Sequence, residues 1–313
     1  MTRNRLRYVS AVLLCCILLS CCSCSRGGPE NSRKQSGSLH YTPGETTVLT
    51  PEAGGTVTTG SDPLILDFSH SDQGYFIGTI TQPDKKVNIQ LTGPDNVTYK
   101  YFLESSEESA VFPFTAGSGD YMVLAFENIY GDQYASLFSY SVNVTLENEF
   151  LPFLYPNQYV NFSSDSEAIA LAAELSQDAA EDLDALDAVY AYVTSHIKYD
   201  DAKAASVQPG YLPDIDETLA TGMGICFDYA ALTTAMLRAL SIPARLEIGY
   251  TGDVRHAWVD VYIDSIGWVE NAVEFNGSEW KLLDPTFAAA GGGSDAINDY
   301  IGDGNNYTLQ YIR

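Results

Sequence analysis

The sequence predicts an α+β protein in which an antiparallel β-sandwich precedes a domain of mixed helices and strands. Three observations lead to this fold class. The chain has 313 residues, 45% of them hydrophobic, which is enough for two cores of ordinary size. Residues 44–155 alternate apolar and polar side chains, as half-buried strands do. At Asn161 the period lengthens to that of amphipathic helices, so we assign residues 156–313 to the second domain.

The first 24 residues have the features of an export signal. Three arginines precede the apolar run from Val9 to Leu19, which is too short to span a bilayer with ease. The run ends in "LLSC", which resembles the lipobox of bacterial lipoproteins. The resemblance implies a signal peptide over residues 1–20, lipidation at Cys21, and export to the extracytoplasmic side of the bacterial cell membrane. An ordinary cleaved signal peptide is the alternative.

Residues 21–43 are polar and lack an apolar period, which is typical of a flexible tether. Beyond them, strands are predicted at "YFIGTI", "VNIQL", "VTYKYFL", "YMVLAFE" and "SLFSYSVNVTL". Turn sequences such as "GPDN" separate these strands, as in an antiparallel sandwich. Tyr75, Tyr99, Tyr101 and Tyr121 recur at strand spacing, which favours core positions; a carbohydrate-binding platform is the alternative.

The charge of the chain excludes one class of partner. Lys and Arg number 16 against 41 Asp and Glu, so the formal net charge is -25. A phosphate backbone would be repelled by such a chain, and we expect no nucleic-acid partner.

Two helices are predicted after the sandwich. In "SSDSEAIALAAEL", Ser164 and Glu167 are spaced as a capping box at a helix start. The segment "EDLDALDAVYAYVTSHIKYD" places apolar residues on one helical face and acidic residues in the first turn. His196 falls in the last turn of this helix, where a structural role is expected.

Cys226 is the one cysteine beyond residue 24. It follows "GMGI" and precedes apolar residues at helical spacing that continue to Pro243, so it is predicted at a helix N-terminus. Unpaired backbone N–H groups there would lower the pKa of the thiol and could stabilise an oxyanion. The alternative is an inert buried cysteine.

A thiolate nucleophile needs a base, and His256 is the candidate. The other histidines fall in the tether, a sandwich turn and the helix end described above. The segment "RHAWVDVYI" alternates as a strand, which puts His256 on the face opposite the core-facing residues. Asp284 in "WKLLDPTF" follows as a candidate to orient the imidazole, so Cys226, His256 and Asp284 make up a predicted triad.

At these residues the sequence resembles the transglutaminase-like superfamily of the papain-like fold. The matching segments are "GMGICFDYAALTTAMLRALSIPARLEIGY", "HAWVDVYI" and "LLDPTF", in that order. The resemblance implies that residues 156–313 form a papain-like transglutaminase-core domain. It also implies that Cys226 is the nucleophile, His256 the general base and acid, and Asp284 the orienting acid. The segment "GWVENAVEFNGSE" departs from the pattern and predicts an extra strand with Trp268 and Phe275 near the site.

Other signals are weaker. Tyr199 follows the second helix and either donates to an oxyanion or packs against the helix. The acidic segment "NDYIGDGNN" lacks the ligand spacing of a calcium loop, and no zinc or nucleotide motif is present. We therefore expect no metal and no cofactor.

These features predict an exported enzyme that attacks a peptide amide bond and forms a thioester. Resolution by water would make it a peptidase or amidase, and resolution by an amine would make it a protein-glutamine acyltransferase. The expected partners are a peptide or protein substrate and, through the lipid anchor, the membrane. The alternative is a catalytically silent transglutaminase-fold lipoprotein that acts as a binding or scaffolding protein.

Overall fold

Fifteen strands and five α-helices are found in the described part of the chain. The computed structural model describes residues 40–104, 109–251, 253–275, 280–281 and 307–313. The strands of the first half are β1 Thr58–Ser61, β2 Leu64–Asp67, β3 Tyr75–Ile80, β4 Lys86–Thr92, β5 Thr98–Glu104, β6 Ser109–Pro113, β7 Gly119–Tyr130 and β8 Gln133–Val144. The helices are α1 Glu167–Leu175, α2 Asp182–His196, α3 Asp201–Ser206, α4 Ile215–Thr221 and α5 Cys226–Ala239. The remaining strands are β9 Lys198–Tyr199, β10 Met223–Gly224, β11 Ala244–Thr251, β12 Val254–Ile263, β13 Gly267–Phe275, β14 Trp280–Lys281 and β15 Tyr307–Ile312.

The first eight strands form a sandwich of two antiparallel sheets. Their orders are β1-β2-β3-β6 and β5-β4-β7-β8, and buried residues from both sheets make up one core. All five predicted strands are present, whereas β1, β2 and β6, each of four or five residues, were not predicted. Tyr75, Tyr99, Tyr101 and Tyr121 are each at most 3% exposed, so they are core residues and form no carbohydrate-binding platform.

The second half of the chain is built around α5. Nearly all of this helix is buried, because α1, α2 and α4 pack on it and its other side lies against β11 and β12. Those strands belong to an antiparallel sheet of order β14-β13-β12-β11-β15. β13 is the extra strand predicted from "GWVENAVEFNGSE". The α+β fold class is confirmed.

The helix starts differ from prediction in one respect. α1 is preceded by Ser166, not Ser164, and the Ser166 hydroxyl accepts from the backbone N–H of Ser163 instead of capping the helix. The predicted capping box at Ser164 is therefore wrong. In α2 a carboxylate does cap the start of the helix: the Glu181 N–H donates to Asp184 at 3.2 Å. Within the described ranges, no helix has the length and apolar character needed to cross a membrane.

The segment before the sandwich lies on the helical core. The Tyr41 hydroxyl donates to the carbonyl oxygens of Ser176 (3.1 Å) and Ala179 (2.9 Å). The backbone N–H of Thr47 donates to Ala239 O at the end of α5, at 2.7 Å. The assigned tether and sandwich thus include residues that pack against the helices. The domain boundary at residue 155 stays a prediction.

One buried arginine joins the end of α5 to three other segments of the chain. Arg238 is 1% exposed, and its guanidinium donates to Ala244 O (3.0 Å), Tyr155 O (2.8 Å) and Arg313 O (2.8 Å). Burial lowers the pKa of Arg238 to about 9, which still leaves it charged at neutral pH. The three carbonyl oxygens favour the charged form.

We predict that Arg238→Met lowers the free energy of unfolding by at least about 3 kcal/mol, because it leaves buried carbonyl oxygens without donors. Urea denaturation measures the change. Arg255→Met, at an exposed arginine of β12, is the matched control and should stay within about 0.5 kcal/mol of the parent. Equal stability of the two variants would mean that the three hydrogen bonds do not hold the fold together.

Candidate active site

Cys226 is the first residue of α5, as predicted. Two glycines bring the chain to this point. Gly222 ends α4 in the left-handed conformation, with φ 62°, which favours glycine. A Cβ on Gly224 would lie 2.8 Å from the Asp228 Cβ, so only glycine allows this close approach.

The Cys226 thiol is half-buried and is surrounded by backbone donors. The backbone N–H groups of Ala257 in β12 and Phe227 in α5 act to lower the pKa of the thiol. Burial nevertheless raises the pKa of the thiol, and the charge of Asp228 acts in the same direction. The predicted lowering of this pKa is therefore wrong in direction, because removal of the thiol from water outweighs the donors at the helix N-terminus.

His256 lies on β12, opposite Gly249 of β11. The imidazole is 8% exposed, and its Nε2 has no hydrogen-bond partner within the described ranges. Burial lowers the pKa of His256 to about 4, so the ring is neutral at pH 7. Gly249 leaves room for its neighbours, since a Cβ there would lie 2.7 Å from the Trp258 ring and 2.2 Å from Thr308 O. A neutral imidazole with a free nitrogen can accept a proton.

Cys226, His256 and Tyr199 line one cleft of about 310 Å³. Burial and the nearby Cys226 raise the pKa of Tyr199, so its hydroxyl keeps its proton at neutral pH. Tyr199 can therefore donate to an oxyanion, as one of its two predicted roles requires. Asp284 and Cys21 lie outside the described residues. The acidic segment "NDYIGDGNN" does as well.

The tryptophans whose side chains are described do not line the cleft. Trp258 is 2% exposed, and its ring centroid is 6.2 Å from that of His256. Trp268 packs under the guanidinium of Arg245, at 3.5 Å, and against Phe153. Trp268 was expected on the active-site side of its strand. Stacking on Arg245 directs it to the 150–153 segment instead.

Asp228 organises the start of α5 and was missed by the sequence analysis. Its carboxylate is fully buried and forms an ion pair with Lys203 at 2.8 Å. It also accepts from the Tyr211 hydroxyl and, at 2.8 Å, from the backbone N–H of Ile225. An acidic residue in the first turn of a helix was the available signal, because it complements the helix dipole. The cluster fixes the 203–211 segment, part of which lines the cleft, relative to Cys226.

Among the described residues, no group of three or more His, Cys, Asp or Glu side chains is placed to hold a metal ion.

We predict that Lys203→Met lowers the free energy of unfolding by about 2–3 kcal/mol, because it leaves the buried Asp228 carboxylate without its cation. Urea denaturation is again the measurement. Lys198→Met provides the matched control: Lys198 is exposed and forms no ion pair with the described residues. A loss no larger than that of the control would show that Tyr211 and Ile225 satisfy the carboxylate without Lys203.

Comparison with known proteins places this site in a family. A model of the transglutaminase-like superfamily matches residues 169–271, which include Cys226 and His256. No curated protein matches the chain. A solved structure of a candidate cysteine protease from Cytophaga hutchinsonii is 18% identical, with a TM-score of 0.37, over 76% of this chain and 83% of that one.

Two further structures are similar at a lower level. A candidate protease from Parabacteroides distasonis is 10% identical, with a TM-score of 0.29, over 66% of this chain and 62% of that one. Red sea bream transglutaminase is 14% identical, with a TM-score of 0.27, over 62% and 47%. All three TM-scores are below 0.5, so the assignment is based on the family model. The part of this chain that is similar to the transglutaminase-like superfamily is residues 169–271.

Proposed function

We propose that this chain is an exported cysteine-nucleophile enzyme that attacks a peptide amide carbonyl with Cys226 and forms a thioester. One observation carries the proposal: the thiol at the start of α5 and the imidazole of His256, whose Nε2 has no hydrogen-bond partner among the described residues, line the same cleft. The backbone N–H of Ala257, the residue next to His256, also acts to lower the pKa of the thiol. Nucleophile and base are therefore adjacent.

The resting pair is a neutral thiol and a neutral imidazole. This follows from the two pKa directions, upward for Cys226 and downward for His256. His256 takes the thiol proton as the sulfur attacks, and the S–C bond forms while the carbonyl oxygen becomes an oxyanion. The free N–H groups at the start of α5 and the Tyr199 hydroxyl are its candidate donors. His256 then gives the proton to the leaving amine as the C–N bond breaks.

The thioester is resolved by a second nucleophile. Water or an amine attacks the acyl carbon, and His256 accepts its proton. As the S–C bond breaks, His256 returns this proton to the sulfur, which restores the Cys226 thiol and the neutral imidazole. The proposed role of Asp284 is to orient the imidazole during both half-reactions, as it does in the family that the sequence resembles. Hydrolysis needs only water, so we favour the peptidase or amidase route over amine transfer.

The proposal includes the cellular location of the protein. The arginines before the apolar run and the "LLSC" sequence support export and lipidation at Cys21, with the domain held outside the cytoplasmic membrane by its tether. The scaffolding alternative predicts no turnover.

Incubation with a glutamine-containing peptide and a labelled primary amine tests the proposed chemistry. We expect free acid or cleaved peptide by mass spectrometry, and none with Cys226→Ala. Incorporation of the amine at low amine concentration would identify an acyltransferase instead. Products that persist in Cys226→Ala would contradict a cysteine nucleophile, and a complete lack of products over a panel of peptides would favour the scaffolding alternative.

The pH dependence of Cys226 alkylation tests whether the thiol and the imidazole are both neutral at rest. With a raised thiol pKa, the rate of Cys226 modification by iodoacetamide should rise continuously from pH 6 to above pH 9, because the thiolate fraction grows throughout. Peptide mass spectrometry resolves Cys226 from the cysteines before residue 25. A rate that is constant between pH 5 and pH 8 would show a preformed thiolate–imidazolium pair. Reaction only after denaturation would show an inert core cysteine.

A further inference from the structure

The cleft beside Cys226 has the opposite charge to the chain. Asp and Glu outnumber Lys and Arg by 41 to 16, yet the charged residues among its described lining are Arg255 and Arg313, with no carboxylate. The Asp228 carboxylate, whose charge acts on the thiol, does not line the cleft and is paired with Lys203. Low-dielectric walls focus the field of such cations on a bound ligand. The cleft therefore favours an anion.

Arg313 is held rigidly at the end of β15. Its backbone N–H donates to Leu246 O at 2.7 Å, and its carbonyl oxygen accepts from Leu246 N–H and from Arg238. The guanidinium carbon lies 4.3 Å from the ring centroid of Tyr159 and 4.4 Å from that of Tyr101. The rings of Tyr311 and Tyr99 are at 5.0 and 5.1 Å.

Two nitrogens of this guanidinium have no hydrogen-bond acceptor among the described residues. Arg313 is 2% exposed, and its Nε and Nη1 atoms donate to none of the described residues. The aromatic rings stabilise a cation but do not replace hydrogen-bond acceptors. Arg238, which is equally buried, finds three carbonyl oxygens. A buried charged group without acceptors is costly, so a ligand that supplies them would be bound strongly.

The charge of Arg313 is maintained in this environment. Burial disfavours the charged form, but the hydroxyls of Tyr101 and Tyr159 act in the opposite direction, and the pKa of Arg313 is raised overall.

We propose that Arg313, assisted by the exposed Arg255, binds a carboxylate of the peptide whose amide bond Cys226 attacks. This inference deepens the proposed function, since it names a feature of the substrate of the same cleft. A carboxylate matches the planar fork of a guanidinium and is the anion that peptides carry, either on an acidic side chain or at the C-terminus. The aromatic walls at Tyr211 and Phe227 would contact the apolar part of the same peptide.

Binding to Cys226→Ala protein tests the proposal without catalysis. The probes are acetyl-Ala-Gln-amide, acetyl-Ala-Glu-amide and acetyl-Ala-Gln with a free C-terminal carboxylate, titrated by NMR or calorimetry. At least one anionic peptide should bind about 10-fold or more tightly than the neutral peptide. Which of the two does so identifies a side-chain or a terminal carboxylate. Equal affinity for all three would overturn the proposal.

Substitutions in the Cys226→Ala background show which residues cause the preference for the anionic peptide. Arg313→Met should abolish this preference, and Arg313→Lys should reduce it. Arg255→Gln should reduce it by about 3-fold in low salt. Lys100→Gln, at an exposed lysine of β5 that does not line the cleft, should leave it unchanged. Discrimination that survives Arg313→Met would overturn the proposal. If that variant does not fold, an Arg313→Lys variant that discriminates as the parent does would also overturn it.

The proposed chemistry and the carboxylate site fail separately. Preference for the anionic peptide in Cys226→Ala protein, without turnover in the parent, would leave the binding site established and the enzyme reading wrong. Turnover of neutral and anionic peptides with equal KM would leave the enzyme established and the carboxylate site wrong.

Discussion

The buried guanidinium of Arg238 is the interaction on which the rest of the structure depends. It leaves the last turn of α5 and satisfies carbonyl oxygens of Tyr155, Ala244 and Arg313, which come from three separate parts of the chain. A planar group with five donors in fixed directions can bridge such acceptors, whereas an ammonium cannot hold the same geometry. The position of α5 relative to β11, β15 and the backbone at Tyr155 follows from these three hydrogen bonds. Through α5, so does the position of Cys226.

The two ends of α5 carry opposite buried charges. Asp228 lies in the first turn and Arg238 in the last, which is the arrangement that the helix dipole favours. Asp228 is compensated by Lys203, Tyr211 and a backbone N–H, and Arg238 by carbonyl oxygens. The catalytic candidates themselves remain neutral, because burial opposes both a thiolate and an imidazolium. The buried charges thus position the helix, whereas the thiol and the imidazole exchange a proton only when a substrate is attacked.

Local patterns were sufficient to predict most elements near the site. The helix that begins at Cys226 and the strand that carries His256 follow from apolar spacing over a few residues, and both are present as predicted. The hydrogen bonds of the buried charges were not predictable in this way, because Tyr211 and Asp228 are 17 residues apart and Arg238 and Tyr155 are 83 apart. A single arginine within the apolar run "AMLRAL" was a signal of a buried cation, but it gave no indication of the acceptors. The predicted direction of the thiol pKa shift was wrong for the same reason. The position of a residue on a helix is a local property, whereas its burial depends on the whole fold.

The sandwich contributes to the site through Arg313. Tyr99 and Tyr101 belong to β5, and their rings enclose a guanidinium that lines the cleft beside Cys226. If Arg313 served only to fill the space between these rings, an apolar side chain would do so without the cost of unused donors. Buried polar groups left without partners are rare in folded proteins and concentrate at sites that bind ligands. The Nε and Nη1 atoms of Arg313 are buried and have no acceptor among the described residues. Because Arg313 also lines the cleft, a carboxylate bound there would compensate a buried charge that the described chain leaves without hydrogen bonds at these two atoms.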